Sequence, residues 1–257
     1  MALSRRGFGV NFPHMIRNFF VILLTAAASL GLGIGSALGQ ATNLPPWEPI
    51  TNYQEQRVEG WRILVNNQLA TNGALCPAVL KLLDAQLYQI TRVVPAAPLA
   101  KLRMIPIWIE NADPRFPCTV FHESADWLRE HGVNPEKVNA VEISNPQNFL
   151  DWVRDQPWMM LHELTHGYHH VFLGDNQPDI RRCYQAAKVS GKYESILRID
   201  GHHERHYAMT NEKEYFAEMT EAFFGTNDFF PFVRAELKEY DPEMYAVLGK
   251  LWETGDR

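Results

Sequence analysis

Along residues 77–92, PAVLKLLDAQLYQITR, apolar side chains return every three or four positions. That spacing predicts an amphipathic helix, and Pro77 suits its first turn. The run VVPAAP ends it. RMIPIWIEN, residues 103–111, gathers β-branched and aromatic residues into a short run, which predicts a strand. VNAVEIS, residues 138–144, predicts a second strand, and ESADWLREHG between them a short helix ending at Gly132. Upstream, residues 53–70 fit an amphipathic segment.

Helical periodicity dominates the second half. NPQNFLDWVRD is a helix with Pro146 near its first turn, and a longer one runs from Pro157 to a stop at Gly174. Another starts near Pro178 and ends before Gly191. ESILRIDGHHERHYAM holds Asp200-Gly201 between two runs, a β-hairpin signal. HYAMTNEKEYFAEMTEAFFG, residues 206–225, reads as a helix, and a last amphipathic segment breaks at Pro242. Few strands followed by many helices describe an α+β domain.

The N-terminus breaks this pattern. Its first twenty residues carry Arg5, Arg6 and Arg17 and no acid, an apolar stretch of small residues follows, and SALGQA offers a cleavage site. These features predict a signal peptide over residues 1–39, with an uncleaved N-terminal anchor as the alternative, an exported protein, and one folded domain over 40–257. No membrane span is expected in the mature chain. Cleavage would take the formal charge from −6 to −9, since the segment holds three cations and no acid. An acidic chain without a basic patch argues against a nucleic-acid partner. In an exported protein Cys76 and Cys118 could pair, leaving Cys183 over. No Cys-x-x-Cys spacing suggests a thiolate site.

The helix from Pro157 contains HELTH, residues 162–166. His162 and His166, four apart, project from one face, so two imidazoles can bind one Zn²⁺. Glu163 reaches the same side and could take a proton from water and pass it to a leaving amine. A catalytic zinc needs a third protein ligand and an open position. The metzincin pattern would place Gly at 169 and His at 172, but the chain has His169 and Phe172. His169 and His170 lie too close along the same helix. The turn histidines His202, His203 and His206 are one alternative, and a carboxylate on a later helix is another. Glu214 has a competing role as the capping-box partner of Asn211.

YAMTNEKEYFAE, residues 207–218, resembles the third-ligand region of the anthrax lethal factor catalytic domain and related toxin-type metallopeptidases. The matching positions are Tyr207, Thr210, Asn211, Glu212, Glu214, Tyr215, Phe216, Ala217 and Glu218. The likeness covers residues 158–224, about a quarter of the chain. It implies a zincin-like fold of the gluzincin type, with Zn²⁺ held by His162, His166 and Glu214. It also implies Glu163 as the catalytic glutamate and Tyr207 facing the metal. A phenol there can donate to an oxyanion. Glu218, one turn on, could accept a ligand histidine's other N–H, whereas Glu221 reads as a solvated position. VNAVEIS is either an edge strand that pairs with an extended substrate or an internal core strand.

The expectation is therefore a secreted zinc metallopeptidase acting on peptides or proteins. Two readings compete with it: a non-proteolytic zinc-binding envelope protein, and a zinc hydrolase of non-peptide amides.

Overall fold

Residues 53–66 form a tight hairpin rather than one amphipathic segment. Strands β1 (Tyr53–Val58) and β2 (Trp61–Asn66) pair antiparallel in the computed structural model, which describes residues 47–254. Glu59 and Gly60 both take positive φ, +49° and +94°. Two such residues give a turn whose twist matches the strands, which fixes this register. Three helices follow: α1 (Asn67–Ala70), α2 (Leu75–Val93) and α3 (Ala96–Leu102). They carry the chain across to β3 (Ile107–Ile109), which pairs parallel with β2.

Next come β4 (Thr119–Phe121), α4 (Ala125–Glu130), β5 (Val141–Ile143) and α5 (Pro146–Trp152). The strand order is β1-β2-β3-β5-β4. The VNAVEIS segment thus forms an internal strand, parallel to β3 and antiparallel to β4. Its edge-strand reading is corrected: β4 takes the edge. The alternation explains why VEI sits inside, with Val141 and Ile143 in the main core and Glu142 buried on the opposite face.

Past the sheet lie α6 (Met159–Tyr168), α7 (Pro178–Ser190), a hairpin of β6 (Ile196–Leu197) and β7 (His203–Glu204), then α8 (Glu212–Phe224), α9 (Arg234–Tyr240) and α10 (Pro242–Leu251). Helix α6 widens into a π-helical turn over His169–Leu173 and stops at Gly174, whose φ is +82°. The architecture is α+β, with a small mixed sheet and a helical C-terminal part. The main core joins Ile63, Ile107, Val141 and Ile143 of the sheet to Leu83, Leu87 and Ile90 of α2 and Leu161 and Leu164 of α6.

No disulfide forms among the described residues. Cys76, Cys118 and Cys183 are buried, and Cys118 Sγ lies 4.0 Å from Met159 Sδ. Among the described residues no helix is long and apolar enough to cross a membrane. The expected signal peptide lies outside the described residues.

Candidate metal centre

The HELTH segment lies in the middle of α6, where a four-residue spacing stacks side chains on one face. The His162 and His166 rings stand 4.8 Å apart between centroids. Helix α8 runs past them in the opposite direction, with Glu214 and Glu221 both reaching His162 and Gly225 against Trp158. A Cβ at Gly225 would fall 1.9 Å from the Trp158 ring, so only glycine lets the two helices approach this closely.

The start of α8 is set locally. Asn211 Oδ1 accepts the N–H groups of Lys213 and Glu214 at 2.9 and 3.0 Å. Asn211 therefore caps the helix, while the Glu214 side chain turns to the histidines. Its Oε2 lies 3.0 Å from His162 Nε2 and 3.3 Å from His166 Nε2. A tetrahedral ion with bonds of about 2.0–2.1 Å spaces its ligand atoms about 3.4 Å apart. Both distances from Glu214 lie close to that spacing, and the three residues could hold a metal ion together. Two imidazoles and one carboxylate also form a donor set that leaves a position open.

Burial disfavours charge on His162, but hydrogen bonds to Glu214 and Glu221 outweigh it and hold its pKa well above the ordinary value. Burial would likewise raise Glu214, yet both histidines pull it far below the carboxylate range.

Glu163 lies beside His162 and directs Oε1 to the hydroxyl of Thr119, which donates at 3.2 Å from the edge strand. Tyr207 stands in a single 3-10 turn ahead of α8, its ring 6.5 Å from that of His162. Its phenol is hydrogen-bonded to Glu214. Burial, then the charges of Glu214, Glu218 and Glu163, push its pKa far up, so the phenol keeps its proton and can donate. His162, Glu163, His166, Tyr207 and Glu214 are thus brought to one place.

The remaining carboxylates differ from expectation. Glu221 is buried, and its Oε1 accepts from His162 Nδ1 at 2.7 Å. Glu218 Oε1 stays 3.6 Å from the same nitrogen, beyond hydrogen-bond reach. The role expected of Glu218 is made by Glu221, and the solvated reading of Glu221 is corrected. The signal was present: Glu214, Glu218 and Glu221 share one face of a helix whose later turns, from Tyr215 to Phe224, are otherwise apolar except for Thr220. Burial, then Asp228 and Glu221, raise Glu218 well above the ordinary range. Burial also raises Glu221, and raises Asp228 to about 7.

The other histidines sit elsewhere. His202 and His203 are exposed on the hairpin, and His206 is buried with its ring stacked 4.7 Å from Phe229. Its Nδ1 accepts the Ala208 N–H, and burial holds its pKa down to about 3. His169 is buried edge-on to Phe216, with burial holding it to about 4. His170 meets Asp175, and Glu123 completes a second group of possible ligands. The Lys213 ammonium already lies there, 2.6 Å from Glu123 and 3.2 Å from Asp175.

Thr119 carried no sequence signal, because it meets Glu163 only through the sheet, 44 residues away. Comparison with family models, curated proteins and solved structures returns no match to this chain.

Proposed function

We propose that the protein is a zinc-dependent metallopeptidase of zincin type, as the likeness to lethal factor implies, acting on peptide bonds. The observation that carries this reading is the convergence of His162 Nε2, His166 Nε2 and Glu214 Oε2, with Glu163 and Tyr207 beside them. His162, His166 and Glu214 would hold the ion, and zinc, when bound, supplies a Lewis acid and a lowered water pKa. Glu163 accepts a proton as the water oxygen attacks the peptide carbonyl carbon. It then delivers that proton to the amine nitrogen as the C–N bond breaks. The Tyr207 phenol donates to the developing oxyanion. With an ion bound, Glu221 would accept from His162 Nδ1–H and so hold the tautomer whose Nε2 carries no proton.

An extended substrate would pair with the outer edge of β4, which borders α6. The N-terminal segment would direct the chain to export.

The test is cleavage of a mixed peptide library by the purified protein, with and without chelator. Cleavage should vanish with chelator and return with zinc. Glu163→Gln should still bind zinc and lose about 10²–10⁴-fold in kcat. Zinc-loaded wild type that cleaves nothing would remove the peptidase reading. Equal rates for wild type and Glu163→Gln would remove the assigned base.

A further inference from the structure

We propose that Thr119 is a positioning residue that sets the carboxylate of Glu163, and that the edge strand lies against α6 for this purpose. The inference rests on the reading of Glu163 as the general base. Thr119 opens β4 and faces Ile143 of β5 in the ladder. Its Oγ1 donates to Glu163 Oε1 at 3.2 Å.

A second contact holds strand and helix in this register. Phe121, two residues on and on the same strand face, meets α6 at Gly167. A Cβ at Gly167 would stand 3.0 Å from the Phe121 ring and 2.6 Å from Ile105 Cδ1, so any larger residue would push the strand or its neighbour away. The spacings match. Two strand residues span about 6.6–6.8 Å, and the four helix residues from Glu163 to Gly167 rise about 6.0 Å. Strand and helix can therefore touch at both points without either bending.

The chemistry needs such a clamp. The terminal torsion of glutamate is broad, so an unheld carboxylate rotates among many orientations. With Oε1 engaged by the threonine hydroxyl, Oε2 is left as the acceptor for the water proton. Without the hydroxyl, the carboxylate is free to turn toward the point where His162, His166 and Glu214 converge, where it would act as an additional ligand. At 3.2 Å the contact is longer than the roughly 2.5–3.0 Å usual for a hydroxyl donor, so it orients the carboxylate without binding it tightly. Its loss corresponds to about a two- to tenfold change in rate.

The experiment compares Thr119→Val, which keeps the β-branched shape without the hydroxyl, with Thr119→Ser, which keeps the hydroxyl. On a peptide substrate of the zinc-loaded full chain, Thr119→Val should lower kcat about two- to tenfold with KM nearly unchanged. Thr119→Ser should restore most of the loss. Equal losses in the two variants would mark a packing role and overturn the proposal. A second readout needs no activity. The visible absorption of the cobalt(II)-loaded protein reports ligand number, and Thr119→Val should change it while Thr119→Ser does not. In a Glu163→Ala background the Thr119→Val change should disappear. If wild type cleaves no peptide, the peptidase reading fails while the cobalt comparison still decides the threonine's role. A cobalt spectrum identical in wild type and Thr119→Val would overturn it.

Discussion

Behind the sheet, on the face away from the main core, the Lys137 ammonium lies 2.9 Å from Glu142 Oε2 and also bonds Glu110. His122 Nε2 meets the same Glu142 oxygen at 2.7 Å, and the Tyr53 phenol donates to Glu110. Between α6 and α8, Glu163, Glu214, Glu218, Glu221 and Asp228 gather around His162 and His166. There Arg198 lies 3.6 Å from Asp228, and among the described residues no lysine or arginine pairs with Glu214, Glu218 or Glu221. Both clusters gather glutamate and histidine, buried in the first and partly half-buried in the second. The first contains its own ammonium, Lys137, which bonds both of its glutamates. The second has carboxylates in excess, and taking such charges out of water costs several kcal/mol each unless they are matched. The first arrangement is a structural tie, whereas the second needs protons or an added cation.

The sharpest test exchanges perturbations between the clusters. Glu214→Ala should lower zinc affinity more than about 100-fold, beyond the range typical of outer residues. Lys137→Met should leave zinc affinity unchanged but cost about 3–5 kcal/mol of folding stability, because two carboxylates stay buried without their partner. Competition with a metal indicator and chemical denaturation measure the two. If Lys137→Met lost zinc as Glu214→Ala does, the clusters would be one coupled unit and the contrast would fail.

A smaller effect separates the two inner glutamates. Glu221→Ala should weaken zinc binding about 10–100-fold through loss of the bond to His162 Nδ1. Glu218→Ala should weaken it less, since Glu218 makes no such bond. The reverse order would return the role to Glu218.

The smallest effect is in acid. Burial would raise Glu142, but the His122 hydrogen bond and the Lys137 charge overcome it and hold the group at about 2. An unfolded glutamate titrates near about 4.3. The stability this carboxylate contributes is therefore complete above about pH 4.3 and lost as pH falls toward about 2. Thermal unfolding between pH 6 and pH 2.5 should fall less steeply for Glu142→Gln than for wild type. Parallel curves would mean that the lysine cluster does not hold Glu142 ionised.

Local rules carried much of the fold. The helices at Leu75–Val93 and Pro178–Ser190 begin and end close to where spacing, Pro178 and Gly191 placed them, whereas the run 206–225 is helical only over Glu212–Phe224, because Asn211 caps it after a 3-10 turn at Tyr207–Met209. The Asp200-Gly201 hairpin forms as its turn residues required. The segment 53–70 misled because a hairpin with positive φ at Glu59 and Gly60 resembles an amphipathic run when only one residue of the pair is glycine. At the site, the spacing of HELTH was legible because helical geometry relates positions four apart without help from the rest of the chain.

What the sequence by itself determined is therefore each element's local form: two histidines on one helix face, a cap at Asn211, and three carboxylates along one side of α8. Only the tertiary structure decided which of those carboxylates meets which nitrogen. The crossing of α6 and α8, set by the close approach at Gly225, brings Glu221 rather than Glu218 to His162. It also decided that β4 rather than β5 is the edge strand and that Thr119 meets Glu163. Strand order and helix crossing depend on contacts between residues tens of positions apart, and no local periodicity encodes them.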